Sequence, residues 1–220
     1  HQDKTAMKVG TDGVLLGAWS SVIDFPDSIL DIGAGTGVVS LVLAQRSDAL
    51  IIDAVELDEN AYEQTVENFE RSSWGDRLYC YHATFQEFAS EITADEETYD
   101  LIVSNPPFYT AGFETENSAR NKARSTSFLS FEELIEGVVN IISKNGKFVV
   151  ILPFVEERNF ISLAAKSKLF LNRVCRVQGN ASSEVKRTLL EFSPNQTAIK
   201  EEHLVIELTR HQYTEAYVNL

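Results

Sequence analysis

Ile29-Leu30-Asp31-Ile32-Gly33-Ala34-Gly35-Thr36-Gly37 is the stretch that decides the fold. A short branched apolar run stops at three alternate glycines, and a helical pattern begins at Val38 and runs to Arg46. Strand, glycine turn and helix in that order open a parallel α/β sheet. Glycine at such a turn lets the backbone bend sharply and approach a ligand closely.

Working outward, further short apolar runs lie at 51–56, 78–82, 101–103 and 148–152. Each is rich in branched residues and bounded by polar ones, as strands buried on both faces are. Helical patterns alternate with them. Residues 60–71 put Ala61, Thr65, Val66 and Phe69 on one side, 131–142 follow Ser130 with Glu133 three residues on, and 154–168 follow Pro153. The Ser130/Glu133 pair is a capping-box signature. The alternation predicts a doubly wound, mostly parallel, seven-stranded sheet.

At the C-terminal end the rhythm changes. Residues 171–177, 187–192 and 204–208 are strand-like with no helices between. Two of them are expected to form an antiparallel hairpin at the sheet edge, with Ser193-Pro194-Asn195-Gln196 as its turn. Ahead of the first strand, a helix is expected to run to Trp19, capped by Thr11 or Asp12.

The chain has 220 residues, the length of one domain, with residues 1–27 as an N-terminal segment. No stretch approaches the roughly 18 apolar residues of a membrane span. Lys+Arg 19 against Asp+Glu 33 leaves a net charge of −14, which argues against a protein that coats nucleic acid. A local basic patch stays compatible with that balance. Cys80 and Cys175 are far apart and the four histidines are scattered, so neither a disulfide nor a metal site is expected. The first residue is not methionine, so the sequence reads as trimmed, and nothing visible resembles a targeting signal. A cytoplasmic monomer is the expectation.

The chemistry starts at the glycines. Their spacing is G-x-G-x-G, with Val38 where a dinucleotide fingerprint needs its third glycine. That argues against a nicotinamide oxidoreductase. Glu56 ends the second strand at the distance where an acid reaches ribose hydroxyls, and Asp31 can accept from an ammonium group. Spacing alone gives an adenosine-type ligand.

Ser104-Asn105-Pro106-Pro107-Phe108 directly follows the fourth strand. Two prolines cannot continue a hydrogen-bonded ladder, so the chain leaves the sheet stiffly there. The Asn105 amide oxygen and the Pro106 carbonyl can then accept both N–H bonds of a planar amine. Held so, the nitrogen is aligned for attack on a methyl donor. Phe108 and Tyr109 offer aromatic faces to a base turned out of its stack.

Together these residues resemble the class I methyltransferases, and the resemblance supplies S-adenosylmethionine as the cofactor. The tetrapeptide is similar to the Asn/Asp-Pro-Pro-aromatic signature of enzymes that methylate adenine N6, cytosine N4, guanine N2 or a glutamine amide. A closer likeness lies in 6–19, which reads Ala-Met-Lys-Val-Gly-Thr-Asp-Gly-Val-Leu-Leu-Gly-Ala-Trp, and in 53–58 and 99–108. These look like the bacterial tRNA-valine adenine N6-methyltransferases, which modify the adenine next to the anticodon.

The resemblance implies Asn105, Pro106, Pro107 and Phe108 as catalytic. It implies Asp31, Gly33, Gly35, Gly37, Glu56, Leu57, Thr84, Asn105, Lys8 and Thr11 around the cofactor, with Asp12 beside them. In that family the N-terminal segment lies over the cofactor. Relatives place an Asp where Thr84 stands, and that Asp accepts from the cofactor's adenine. For tRNA, the acid-free stretch 117–131 carries Arg120, Lys122 and Arg124, and Lys186 and Arg187 supply a second basic contact beside Phe108 and Tyr109. Competing readings are methylation of rRNA guanine N2 or of a protein glutamine, and a module that binds an adenosine cofactor without reacting.

Overall fold

Nine strands form one sheet in a computed structural model that describes residues 1–3, 8–106 and 129–220. The strands are β1 (Ser28–Ile32), β2 (Ile51–Glu56), β3 (Leu78–His82), β4 (Tyr99–Ser104), β5 (Ile142–Pro153), β6 (Phe170–Asn180), β7 (Val185–Ser193), β8 (Lys200–Thr209) and β9 (Gln212–Tyr213). The helices are α1 (Thr11–Trp19), α2 (Val38–Arg46), α3 (Glu59–Glu70), α4 (Phe85–Ala94), α5 (Phe131–Ile141), α6 (Glu157–Lys166) and α7 (Glu215–Val218), with a 3-10 turn at Phe154–Glu156.

Sheet order is β3-β2-β1-β4-β5-β7-β6-β8-β9. Strands β1 to β5 are mutually parallel, and β7 enters antiparallel between β5 and β6. Successive strand residues serve opposite faces. Leu30, Ile32, Val55, Ile102 and Phe148 pack with α4, α5 and α6 through Phe85, Phe88, Val138 and Phe160. Ile29, Ile52, Leu101 and Val149 pack with α1 and α2 through Leu15, Leu16, Trp19, Val39 and Leu43. Two covered faces explain why these strands read as continuous apolar runs.

The sheet departs from expectation at its C-terminal side. The hairpin is β6–β7, closed by residues 181–184, and Ser193-Pro194-Asn195-Gln196 instead leads away from β7 toward β8. Residues Thr188–Ser193 are all buried, so β7 takes an interior place with neighbours on both sides. The half-exposed β8 is left with the free edge of β6, which it joins in parallel, and β9 extends the sheet to nine strands.

Helix α1 also corrects its expected cap. Gly10 is the N-cap, no side chain caps it, and Thr11 is already helical. Its C-terminal end is held from α2, where Arg46 donates to the carbonyls of Gly17 (2.6 Å) and Ser20 (2.8 Å). The capping box Ser130/Glu133 is present at α5, and a second one, Thr84/Glu87, opens α4. Burial pushes the Cys80 thiol up to about 12 and the Cys175 thiol up to about 11, and both thiols are free. No described helix is long and apolar enough to cross a membrane, and the described residues hold no His/Cys/Asp/Glu group that could hold a metal.

Candidate active site

The glycine turn sits at the carboxyl end of β1, where the strand order reverses between β1 and β4. Gly33 and Ala34 both donate to the Val55 carbonyl, at 2.9 and 3.3 Å, which ties the turn to β2. Gly33, Gly35 and Gly37 all have left-handed φ, of 77°, 60° and 73°. Only glycine adopts this region without strain. The three differ in surroundings. A Cβ on Gly33 or Gly35 would meet nothing within 4 Å, whereas one on Gly37 would lie 2.6 Å from Phe69 Cε1. Gly37 is therefore fixed by packing on α3, while Gly33 and Gly35 border open space.

Helix α3 also fixes the turn through polar side chains. Thr65 Oγ1 donates to the Gly35 carbonyl and Asn68 Nδ2 to the Thr36 carbonyl, each at 2.9 Å. Asn68 Nδ2 also donates to the His1 carbonyl at 3.0 Å, and the Asp3 N–H donates to Gln64 Oε1 at 3.1 Å. Residues 1–3 thus lie along the helix that braces the glycine turn.

Asp31 is 1% exposed, with Oδ2 accepting from Ser40 Oγ at 2.7 Å and Ser40 N–H at 3.2 Å. Burial pushes its carboxyl up to about 6, against the lowering effect of the Ser40 bonds, and the nearby Glu56 charge adds to the rise. Glu56 accepts from the Gly35 N–H at 2.8 Å and from the Asp58 N–H at 2.9 Å. One accepted bond per oxygen leaves each with a free lone pair.

Next to Glu56 the exposed Leu57 is held by a neighbour that sequence reasoning missed. His82 Nε2 lies 3.0 Å from the Leu57 carbonyl, an acceptor, so Nε2 carries the proton. Tyr62 of α3 stacks on the His82 ring at 5.2 Å. The signal was in the strand pairing, since β2 and β3 align Glu56 with His82. Thr84, expected at the cofactor's adenine, is the N-cap of α4. Its Oγ1 donates to Glu87 Oε2 at 2.7 Å and accepts from the Glu87 N–H at 3.2 Å.

At the end of β4, Ser104 Oγ donates to the Ile32 carbonyl at 3.0 Å, locking β4 to β1 just below the corner. Ile32 pairs with Ser104, so the glycine turn and the Asn-Pro corner leave adjacent strands, roughly 5 Å apart, at the same level. Asn105 is half-buried and Pro106 buried. Pro107, Phe108, Tyr109, Arg120, Lys122 and Arg124 lie outside the described residues.

The remaining expected contacts divide. Lys8, Thr11 and Lys186 are exposed. Arg187, expected to face tRNA, donates from Nε to Asp12 Oδ2 at 2.8 Å, an ion pair that ties β7 to α1. The sequence could not show this pairing, because 175 residues separate the partners.

A buried acid, two glycines bordering open space, an acid at the next strand end and an Asn-Pro corner converge at the carboxyl ends of β1, β2 and β4. Comparison with known proteins gives this arrangement a context. The methyltransferase small domain family matches residues 14–153. A protein of Christiangramia forsetii named tRNA1(Val) (adenine(37)-N6)-methyltransferase is 53% identical over 219 residues, covering 100% of this chain and 91% of the relative. A relative of the same name from Flavobacterium johnsoniae is 54% identical over 220 residues, covering 100% and 92%. Among solved structures, a predicted O-methyltransferase from Agrobacterium tumefaciens superposes with a TM-score of 0.71 at 18% identity, covering 95% of this chain and 94% of that one. That likeness concerns the fold.

Proposed function

The chain belongs to the methyltransferase small domain family and to its branch of tRNA1(Val) (adenine(37)-N6)-methyltransferases, and on that premise we propose that it moves a methyl group from S-adenosylmethionine to the N6 amine of the adenine next to the anticodon of valine tRNA. The observation that carries this reading is the pairing of Ile32 with Ser104, the last residues of β1 and β4. It supports an amine-binding role for the Asn-Pro corner beside a glycine turn that takes the cofactor.

The residues fit the cofactor. Backbone at Gly33 and Gly35 borders space that side chains would fill. Asp31, held by Ser40, suits the ammonium group, and the free lone pairs of Glu56 suit the ribose hydroxyls. Leu57, exposed and held by His82, suits the apolar face of the adenine. Residues 1–3 on α3 and the Asp12–Arg187 ion pair support the reading that the N-terminal segment lies over this site.

S-adenosylmethionine supplies an electrophilic methyl on a sulfonium. This chain's part is alignment. Asn105 Oδ1 and the Pro106 carbonyl accept the two N6–H bonds, which turns the nitrogen lone pair toward the methyl. Those acceptors also stabilise the positive charge that grows on N6. The proton on N6 becomes acidic after transfer and passes to water, so no strong base is required. Phe108 and Tyr109 stack the flipped base.

The test is labelled-methyl transfer to valine tRNA from cells lacking the enzyme, with nuclease digestion to map the base. Methylation of N6 at the adenine beside the anticodon is expected, and methyl transfer to rRNA or protein in its place would refute the reading. Asn105→Ala should lower kcat at least about 100-fold while the Kd for S-adenosylhomocysteine changes by less than about 3-fold.

A further inference from the structure

Near the Asn-Pro corner, a cleft of about 560 Å³ opens between the 3-10 turn that follows β5, the first turn of α6 and β6, lined by Phe154, Val155, Glu157, Arg158 and Arg176. Ser104 pairs with Val150, so Pro106 is level with Leu152, and Phe154 follows two residues later. Neighbouring strands are roughly 5 Å apart and rise roughly 3.3 Å per residue, which puts the start of the cleft within roughly 10 Å of Pro106.

Its lip is apolar and open. Phe154 is 37% exposed and Val155 is 74% exposed, side by side in the 3-10 turn. Its floor is polar and already paired. Glu157 accepts from Arg176 at 2.7 Å and from Thr188 Oγ1 at 2.8 Å, and Arg176 also donates to Glu201 at 2.8 Å. That network neutralises the Glu157 carboxylate and keeps Arg176 in place. Arg158 differs. It is exposed and has no hydrogen-bond or ion-pair partner among the described residues. Arg187, the cation expected at this edge, is held by Asp12.

An exposed aromatic and aliphatic pair beside an unpaired guanidinium is the surface that binds an unstacked nucleotide, the ring taking the base and the cation its phosphate. Extruding one adenine from a loop leaves its neighbours without their stacking partner. We propose that this cleft seats a nucleotide flanking the methylated adenine, its base against Phe154 and Val155 and its phosphate on Arg158. The inference rests on the tRNA reading above. In a chain of net charge −14, such a contact sets where RNA can approach the catalytic edge.

The experiment measures steady-state methylation of valine tRNA and Kd for S-adenosylhomocysteine in Phe154→Ala, Val155→Asp and Arg158→Glu. The KM for tRNA is expected to rise about 5- to 100-fold, with kcat and cofactor Kd within about 2-fold of wild type. Phe154→Tyr and Arg158→Lys should restore KM to within about 3-fold. Arg158→Ala should also flatten the slope of log Kd for tRNA against log salt by about 1. Unchanged tRNA KM in all three variants would overturn the proposal and leave the cleft to a protein partner. A cofactor Kd that rises with tRNA KM, or variants that lose kcat alone, would equally overturn it by marking the residues as structural. A wild-type enzyme that methylates no tRNA would overturn both this inference and the reading beneath it.

Discussion

Alanine at Gly37 and alanine at Gly35 should do different damage, and the difference tests whether the turn is built for a ligand. Both residues have left-handed φ, which costs an L side chain roughly 1–2 kcal/mol. Alanine also restricts the unfolded chain, offsetting about 0.4–1 kcal/mol of that. At Gly35 nothing else opposes the new methyl, so Gly35→Ala should lose about 1 kcal/mol. At Gly37 the new Cβ would stand 2.6 Å from Phe69 Cε1 and 3.0 Å from Thr65 Cγ2. Phe69 is buried on α3 and cannot turn aside, so overpacking adds about 1–3 kcal/mol. Gly37→Ala should then lose about 2–4 kcal/mol in all, or roughly 5–15 °C in Tm for a domain of this size. Binding should run the other way. The Gly35 methyl projects into open space that we propose the cofactor takes, and the Kd for S-adenosylhomocysteine should rise at least about 10-fold by titration calorimetry. For Gly37→Ala, measured well below its Tm, the rise should be smaller. Equal melting losses, or wild-type affinity in Gly35→Ala, would refute the reasoning.

Three further outcomes are expected. Asp31, raised to about 6 by burial, should keep its proton in the ligand-free fold over the window from about pH 4 to 6, where the unfolded chain has already released it. Because the folded pKa exceeds the unfolded one, stability falls across that window, and chemical unfolding of Asp31→Asn should lack the slope. The ammonium of the cofactor requires the ionised carboxylate, so calorimetric affinity for S-adenosylhomocysteine should weaken below about pH 6 in wild type and show no such step in Asp31→Asn. His82→Ala should raise the cofactor KM about 5-fold with kcat retained, and His82→Gln, which keeps an N–H donor, should recover most of it; unchanged KM would release Leu57 from this latch. Thr84→Asp loses the hydroxyl that donates to Glu87 and sets two carboxylates together, so it should be paired with Glu87→Gln; that double variant should keep the α4 cap, since Asp caps as well as Thr, and should tighten cofactor binding several-fold in the same titration by offering the adenine amine a charged acceptor.

What could be read from the chain was set by local rules. The strands at 51–56 and 78–82 and the helix at 38–46 fall where their apolar periods place them, because each is short and bounded by turn residues. Asp31, the glycines and Glu56 were legible because strand ends and backbone turns are properties of neighbouring residues. Helix α4 is equally local, since Thr84 and Glu87 spell its capping box three residues apart. The C-terminal error has a different origin. Strand identity is local, but whether β8 pairs with β7 or β6 depends on which edge burial leaves free. Arg187 shows the same limit for charge, since a basic residue in sequence says nothing of the Asp12 that neutralises it in space.

The polar residues of α3 carry the remaining step from fold to function. An amphipathic helix on a sheet buries apolar side chains, yet α3 buries Gln64, Thr65 and Asn68 beside Ala61 and Phe69. Two of these bind the carbonyls of Gly35 and Thr36, which the turn cannot satisfy within itself. A turn held by a neighbouring helix need not be ordered by its ligand, and that saving appears as affinity. Asn68 goes further, because the same amide donates to the His1 carbonyl. One side chain therefore couples His1 to the backbone of the glycine turn. Measured well below its Tm, Asn68→Ala should weaken cofactor binding and speed proteolytic cleavage near His1 together, whereas a purely structural Asn68 would lower Tm and leave both at wild-type values there.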